Sequence, residues 1–183
     1  PAIHFLVEGR AMLQLLLAVA AAADDTAPRS IYVLRHGQST ANVKGLIASR
    51  PDSALQLAGL TRVGRQQAAQ AGREVVAEAR RTGCHVAIYS SDFLRALETA
   101  RAVREGVLAE GIKVWPTEEV CLDEALRERD FGDFDLGPDS SYERVWAEDA
   151  LDATHTRFGV ESVQAVVERT IGMVERAQRE AQL

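Results

Sequence analysis

The stretch SIYVLRHGQSTAN, residues 30–42, joins a short apolar run to a turn that is rich in hydrogen-bond donors. The continuous apolar run at residues 31–34 is typical of a strand that is buried on both faces. His36 follows where this strand ends, and Gly37 allows the backbone to turn and a ligand to approach it. Donor-bearing side chains in the turn are Arg35, Ser39, Thr40 and Asn42. The stretch therefore predicts an anion cradle at the end of a strand.

The remainder of the chain alternates between helical and strand-like patterns. Thr61 can cap a helix that Gly83 ends, and turn formers mark residues 45–59 as a loop. Further helices are predicted at residues 92–110, 142–150 and 160–182, further strands at 84–89 and 112–115, and an acidic loop at 120–141. This alternation indicates an α/β fold with a largely parallel sheet, which binds ligands at the carboxyl ends of its strands.

The first 28 residues differ from the rest, and a new unit is expected to begin near residue 29. Residues 11–23 form an Ala/Leu-rich run that is too short for the ~20 residues of a membrane span. Its Arg10 flank and Ala-x-Ala ending resemble a secretory signal. We favour a buried helix, and secretory or organelle targeting by residues 10–23 stays open.

Two further segments carry polar groups that could reach the same cleft. In SSDFLRALETA, residues 90–100, Ser91 or Asp92 is predicted to cap a helix, with Arg95 one turn inside it. Alone, Arg95 would be read as a solvated charge, but with Arg35 and His36 it suits a phosphoryl group. The segment LRERDFGDF, residues 126–134, brings carboxylates after the third strand. Candidates for a proton donor there are Glu124, Glu128 and Asp130, and physical chemistry alone does not choose among them.

Composition narrows the classes of function. The chain has 183 residues and a net charge of −6, which suits one globular domain and argues against nucleic-acid or anionic-membrane binding. Its cations are nineteen Arg and two Lys, and Arg can hold a phosphate or carboxylate through two parallel hydrogen bonds. Cys84 and Cys121 form neither a disulfide framework nor a zinc cluster.

Three segments together resemble the histidine phosphatase superfamily, in its phosphoglycerate mutase-like branch. They are residues 34–42, 90–100 and 126–132, with a weaker fourth match at residues 159–162. The resemblance implies a three-layer α/β/α sandwich around a mostly parallel sheet. It also implies that His36 is a nucleophile that becomes phosphohistidine, and that Glu128 is the proton donor and then the base that activates water.

The same resemblance implies that Arg35, Asn42 and Arg95 hold the phosphate. From the residues themselves, Ser39 is a further candidate hydrogen-bond donor to the substrate, and Arg129 is a candidate to bind a substrate carboxylate. Neither a metal nor another cofactor is expected. Gln38 stands where a Glu is often found, which removes one negative charge near the phosphate.

The resemblance also implies a second active-site histidine, in a later His-Gly pair. The remaining histidines are His4, His85 and His155, and none of them precedes a glycine. We therefore expect residues 29–183 to represent a domain without its C-terminal part, and favour this over a real loss because a missing central strand would leave backbone groups unpaired. Residues 3–7 and 11–23 are hypothesised to pack into the vacant place as a strand and a helix, with residues 3–7 near the strand at residues 31–34.

Three functions are compatible with these residues. We favour a phosphatase that hydrolyses a small phosphomonoester, with no nucleic-acid or membrane partner, in the cytoplasm, and we leave homo-oligomer formation open. A mutase is disfavoured because residues 136–156 contain Arg144 and no Lys with which to clamp a sugar acid. A non-catalytic relative is disfavoured because His36, Arg35, Arg95 and Glu128 are all present.

Overall fold

A computed structural model of the chain describes residues 3–6, 16–21, 30–56 and 58–180, and side chains from residue 31 onward. The strands are β1 Ile3–Leu6, β2 Leu16–Ala21, β3 Ser30–Leu34, β4 His85–Ser90, β5 Val114–Trp115 and β6 Cys121–Leu122. The helices are α1 Thr40–Lys44, α2 Pro51–Ala54, α3 Arg62–Thr82, α4 Leu94–Ala109, α5 Tyr142–Asp149 and α6 Val163–Glu180. Of the described helices, none is both long enough and apolar enough to cross a membrane.

The strands form one mixed sheet in the order β1-β3-β2-β4-β5, and β6 also pairs with β4. Parallel pairing joins β1 to β3 and joins β4 to both β5 and β6. Strand β2 lies between β3 and β4 and is antiparallel to both. The expected α/β fold with a mostly parallel sheet is confirmed, and β2 is its antiparallel exception.

Alternate residues of the central strands bury opposite faces of the sheet, as the two-residue period of a strand requires. Tyr32 and Leu34 of β3 pack with Val86 and Ile88 of β4 against helices α3 and α4. On the other face, Ile31, Val33, Ala87 and Tyr89 pack against Met173 and Ala177 of α6. Helices therefore cover both faces, which gives the three layers that the resemblance implies.

Several predicted boundaries agree with the structure. The Thr61 hydroxyl accepts a hydrogen bond from the Gly64 amide and caps α3, and Gly83 ends that helix in a left-handed conformation. The prediction that Ser91 or Asp92 caps α4 is wrong, because the N-cap position is Phe93. Ser91 instead accepts from the Phe93 amide within the turn, so α4 begins later than its sequence signal.

The amino-terminal prediction is wrong in part. Residues 16–21 form strand β2 where the sequence favoured a helix over residues 11–23, of which the others lie outside the described residues. A short apolar run does not separate a buried strand from a buried helix, and here backbone pairing with β3 and β4 decides. Strand β1 lies beside β3, with Ile3 opposite Ile31, as the packing hypothesis required, although β2 takes the place between β3 and β4.

Two predicted loops contain short regular elements. The one-turn helix α2 lies within residues 45–59, and its N-terminal Pro51 has the φ angle that a first helical turn needs. The acidic loop at residues 120–141 contains β6 and three 3₁₀ turns, at Glu124–Leu126, Gly132–Phe134 and Asp139–Ser141. Hydrogen bonds from the Leu136 amide to the Ile47 carbonyl and from the Ile47 amide to the Gly137 carbonyl join the two loops.

Helix α3 approaches the His36 turn so closely that only glycine fits at the contact. A Cβ atom on Gly64 would lie 2.1 Å from the Gln38 carbonyl oxygen, and one on Gly37 would lie 2.2 Å from the Gly64 oxygen. Neither neighbour can move without displacing main chain. By contrast, a Cβ on Gly106 of α4 would have its nearest contact at 3.9 Å.

This difference predicts opposite effects of two Gly→Ala substitutions on stability. Gly64→Ala should lower the free energy of unfolding by about 1–3 kcal/mol, because the added methyl group overlaps main chain. Gly106→Ala should raise it by about 0.5–1 kcal/mol, because alanine is the better residue in a helix and has space there. Urea-induced unfolding measured side by side checks both values. A Gly64→Ala variant as stable as the parent would contradict the described contact between α3 and the turn.

Candidate active site

The His36 ring lies at the carboxyl end of β3 and is 6 % exposed. Its Nδ1 atom lies 2.6 Å from the Gly37 carbonyl oxygen. Since a carbonyl oxygen only accepts, Nδ1 must carry the proton, and in the neutral ring Nε2 then holds the free electron pair. Nε2 is buried and has no hydrogen-bond partner among the described residues. The turn therefore presents one nucleophilic nitrogen in a defined orientation.

The surroundings keep His36 neutral. Burial and the positive charge of Arg95 lower its pKa to about 3 from 6.5, with Arg35 contributing in the same direction. The hydrogen bond to the Gly37 carbonyl opposes this shift and is too weak to cancel it. At neutral pH the ring is thus uncharged, which is the form that can attack an electrophile.

Arg95 connects the first turn of α4 to the two loops above the sheet. Its side chain is buried, and its Nη2 donates to the Ala48 carbonyl at 2.9 Å and to Glu128 Oε2 at 2.5 Å. The guanidinium also lies over the Phe93 ring, 5.3 Å from its centroid. Because α4 begins at Leu94, Arg95 lies in the first turn of the helix, where its guanidinium contacts both the Ala48 segment and the Glu128 loop.

Glu128 lies in the same buried cluster. Burial raises the pKa of its carboxyl group, while the positive charges of Arg95 and Arg35 act in the opposite direction. Both of its sequence neighbours are fixed: Arg127 Nε donates to Asp92 at 2.8 Å, and Arg129 pairs with Asp149. The loop therefore holds one carboxyl group with a raised pKa next to the guanidinium of Arg95.

Arg35 interacts electrostatically with the other members of this cluster. It is half-buried, and its Nε atom is buried with no hydrogen-bond partner among the described residues. Its positive charge lowers the pKa of His36 and counteracts the effect of burial on Glu128. The structure thus brings together the four residues that sequence motifs singled out for chemistry: Arg35, His36, Arg95 and Glu128.

The other predicted binding residues have different partners. Asn42 Oδ1 accepts from the backbone amide and the hydroxyl of Ser39, and the two form a capping box at α1. Arg129 donates from Nε to the Glu161 carbonyl and from both terminal nitrogens to Asp149. These contacts hold the loops in place, and in none of them does Ser39, Asn42 or Arg129 reach the His36 ring.

His155 and Asp135 also hold the loops in place, and no sequence motif identifies them. His155 Nε2 lies 2.7 Å from Asp149, which Arg129 also contacts. Asp135 accepts from the hydroxyl groups of Ser49 and Ser53, next to the Ala48 carbonyl that receives Arg95. Asp135 is 86 residues from Ser49 and 82 from Ser53, whereas His155 is 6 residues from Asp149, and the contacts of both become visible only in the folded chain.

Tyr142 also adjoins the cluster and was not predicted as a site residue. Its ring packs edge-on against Phe131 at 4.7 Å and is stacked with Trp146 at 5.5 Å. Burial and the charge of Glu128 raise its pKa further above neutral pH, where a tyrosine hydroxyl is already protonated. Within the described part of the chain, no group of three or more His, Cys, Asp or Glu side chains is placed to hold a metal ion.

Residues 31–182 match the model of the histidine phosphatase superfamily, branch 1, and the chain belongs to that superfamily. It is 32% identical over 155 residues to the 2,3-bisphosphoglycerate-dependent phosphoglycerate mutase of Parvibaculum lavamentivorans. That alignment covers 81% of this chain and 67% of the mutase. The phosphoglycerate mutase-like branch that the sequence motifs indicate is thereby confirmed.

Solved structures support the same assignment. A mycobacterial glucosyl-3-phosphoglycerate phosphatase in complex with VO3 is 29% identical, with a TM-score of 0.55 and coverage of 78% of this chain and 63% of that one. YhfR of Bacillus stearothermophilus is 28% identical, with a TM-score of 0.56 and coverage of 80% and 65%. The chain therefore spans less than two thirds of the length of these two structures.

Because His36 is buried and neutral, we expect the free energy of unfolding of the parent to depend on pH through this residue. The His36→Gln variant should lack this contribution. Because the pKa of His36 is about 3 in the folded chain and 6.5 without the fold, the unfolded chain binds the extra proton between these values. This contribution is fully present above pH 6.5 and is lost as the pH falls toward 3.

Urea-induced unfolding at about pH 7 and about pH 5 measures this contribution, because carboxyl groups common to both proteins cancel in the comparison. The parent should lose more of its free energy of unfolding between these pH values than His36→Gln does. Equal losses in the two proteins would show that His36 is not held neutral by the fold.

Proposed function

We propose that this protein hydrolyses a small phosphomonoester through a phosphohistidine formed on His36. The observation that carries the proposal is the buried, unpaired Nε2 of His36, which lies in the positive field of Arg35 and Arg95. A neutral nitrogen nucleophile next to two guanidinium cations suits a phosphoryl group, whose negative charge is spread over three oxygens. Phosphoryl transfer is also the activity that the names of the similar mutase and phosphatase describe.

In the first step, the Nε2 electron pair attacks phosphorus and the bond from phosphorus to the leaving oxygen breaks. That oxygen takes the proton of the Glu128 carboxyl group and departs as an alcohol. The raised pKa of Glu128 suits this role, because a carboxyl group is a useful acid only while it is protonated. Arg35 and Arg95 stabilise the charge on the equatorial oxygens of the transferred group.

In the second step, a water molecule attacks the phosphorus of phosphohistidine and gives its proton to the Glu128 carboxylate. The bond from phosphorus to nitrogen breaks, inorganic phosphate leaves, and His36 and Glu128 return to their starting states. The Gly37 carbonyl holds the proton on Nδ1 throughout, so the same nitrogen receives and releases the phosphoryl group.

Mutase-type phosphotransfer is the second candidate, and the 32% identity to a phosphoglycerate mutase favours it. A mutase needs cations that hold the carboxylate of a sugar acid while the phosphate moves. In this chain the side chain of Arg144, in the segment after the Glu128 loop, lies over the Phe134 and Phe158 rings at 5.2 Å from each centroid. The Arg144 guanidinium is thus packed against aromatic rings, which supports hydrolysis over a mutase reaction that needs a cation for the sugar-acid carboxylate.

His36→Ala should abolish release of phosphate from p-nitrophenyl phosphate, because it removes the attacking nitrogen. The loss should be at least about a thousandfold, as expected when an enzyme loses its nucleophile. His85→Ala is the matched control, since His85 starts β4 at the end of that strand away from Ser90, and it should retain parental turnover. Equal turnover by His36→Ala and the parent would refute the assignment of the nucleophile.

The same preparations separate the candidate functions. Acid-labile label on the parent after incubation with radioactive phosphomonoester, absent from His36→Ala, supports the phosphohistidine. Interconversion of 3- and 2-phosphoglycerate without net phosphate release would favour the mutase. A parent protein that takes up no label and releases no phosphate would favour a non-catalytic relative.

Glu128→Gln should slow transfer from an alkyl phosphate far more than from p-nitrophenyl phosphate. An alkoxide needs a proton in order to leave, whereas p-nitrophenolate does not, so loss of the acid should cost about 10²–10⁴-fold only with the alkyl substrate. Rapid-quench measurement of the first turnover isolates this step from the hydrolysis of the intermediate. Glu124→Gln, in the same loop at an exposed position, is the control. Equal losses with both substrates would remove Glu128 from the role of acid.

A further inference from the structure

We propose that Thr99 is a positioning residue that fixes the tautomer of His36 by holding Gly37 in place. The inference rests on the proposed role of His36 as nucleophile and concerns the residue that sets its reactive nitrogen. Thr99 lies on α4, one turn after Arg95, and its side chain does not contact the His36 ring in the described hydrogen bonds.

A continuous path of hydrogen bonds runs from α4 to the imidazole. The Thr99 hydroxyl donates to the Arg95 carbonyl at 2.7 Å. The same oxygen accepts from the Gly37 amide at 3.1 Å. The Gly37 carbonyl in turn accepts from His36 Nδ1 at 2.6 Å.

The direction of each bond in this path is set by chemistry. The Arg95 carbonyl is already at a helical position and can only accept, so the hydroxyl proton of Thr99 points toward it. The lone pairs of that oxygen are then available to the Gly37 amide, which can only donate. Thr99 is 1 % exposed, so no bulk water competes for either bond.

Gly37 has little other freedom. Its Cα side faces the Gly64 backbone, where an added Cβ would lie 2.2 Å from the carbonyl oxygen. The bond from Thr99 holds the peptide between His36 and Gly37, and the contact of the Gly37 Cα with α3 restricts the rotation that orients the next peptide. The carbonyl of that next peptide therefore meets Nδ1 of His36 and leaves Nε2 as the free nitrogen.

This arrangement also links the nucleophile to one of its phosphate-binding groups. The Arg95 carbonyl begins the path, and the Arg95 side chain lies beside Glu128. Loss of the Thr99 hydroxyl would leave the Gly37 amide buried without a partner, which is costly enough to drive a local change. The change would fall on the peptide between His36 and Gly37, directly before the peptide whose carbonyl sets the tautomer.

Thr99→Val removes the hydroxyl and nearly preserves the shape of the side chain, and Thr99→Ser retains the hydroxyl. Thr82→Val is the matched control, because the Thr82 hydroxyl makes the same type of bond to the Glu78 carbonyl, 2.8 Å away on α3, without a second contact to the site. Thr99→Ala is made as well, so that it can be compared with Thr99→Ser if Thr99→Val does not fold.

Nitrogen-15 NMR of histidine-labelled full-length protein reads the tautomer without any need for turnover, and His36→Gln identifies the His36 resonances. In the parent, Nδ1 should give the shift of a protonated nitrogen and Nε2 that of an unprotonated one. In Thr99→Val the two shifts should move toward each other as the tautomers mix, and kcat for p-nitrophenyl phosphate should fall about tenfold with little change in KM. Thr99→Ser and Thr82→Val should resemble the parent.

The proposal is overturned if Thr99→Val keeps the parental His36 shifts, or if Thr99→Ser shifts them as Thr99→Val does. With Thr99→Ala in place of an unfolded Thr99→Val, parental shifts in Thr99→Ala overturn it equally. If the parent shows no turnover while the shifts change as described, the role of Thr99 stands and the proposed phosphatase activity fails.

Discussion

The buried hydrogen bond from Arg95 to Glu128 is the interaction on which the arrangement of the site depends. The two side chains are 3% and 6% exposed, so the guanidinium and the carboxyl group would each be costly in the interior without this partner. The pair joins α4 to the loop that follows β6, and Arg95 also binds the carbonyl of Ala48 in a third segment. Three parts of the chain that are far apart in sequence therefore meet at one guanidinium group. A charge placed there adds little to net stability, but it fixes the positions of the segments that surround His36.

The positions of several strands and helices could be predicted because the residues that start and end them act over a few positions. The apolar run before His36, the Thr61 cap and the Gly83 terminator each act within a few residues, and the structure has β3 and α3 where these signals place them. The motifs at Arg35, Arg95 and Glu128 identified groups that the fold brings together. They could do so because parallel strands end at the same edge of a sheet.

The remaining features depend on contacts that are distant in sequence. Residues 16–21 have an apolar pattern that fits either a helix or a strand, and pairing with β3 and β4 on both sides settles the choice. Arg129 lies in the same motif as Arg127, but its partner Asp149 lies 20 residues further along the chain, and His155, which also contacts Asp149, lies further still. No local pattern distinguishes an arginine that binds a ligand from one that fastens a loop.

Arg127 and Arg129, on either side of Glu128, are both held by ion pairs, and this has a consequence for the range of substrates. A carboxyl group on a mobile loop could follow leaving groups of different size, but here both neighbouring residues are tied, one to Asp92 and the other to Asp149. In the mechanism that we propose, the leaving oxygen must therefore come to a fixed point, and differences in size between substrates must be taken up on the far side of that oxygen. Selectivity then depends on the outer segments, among them helix α5, where Tyr142 and the exposed Trp146 lie. Evolution of a new preference would change those segments while the carboxyl group stays in place.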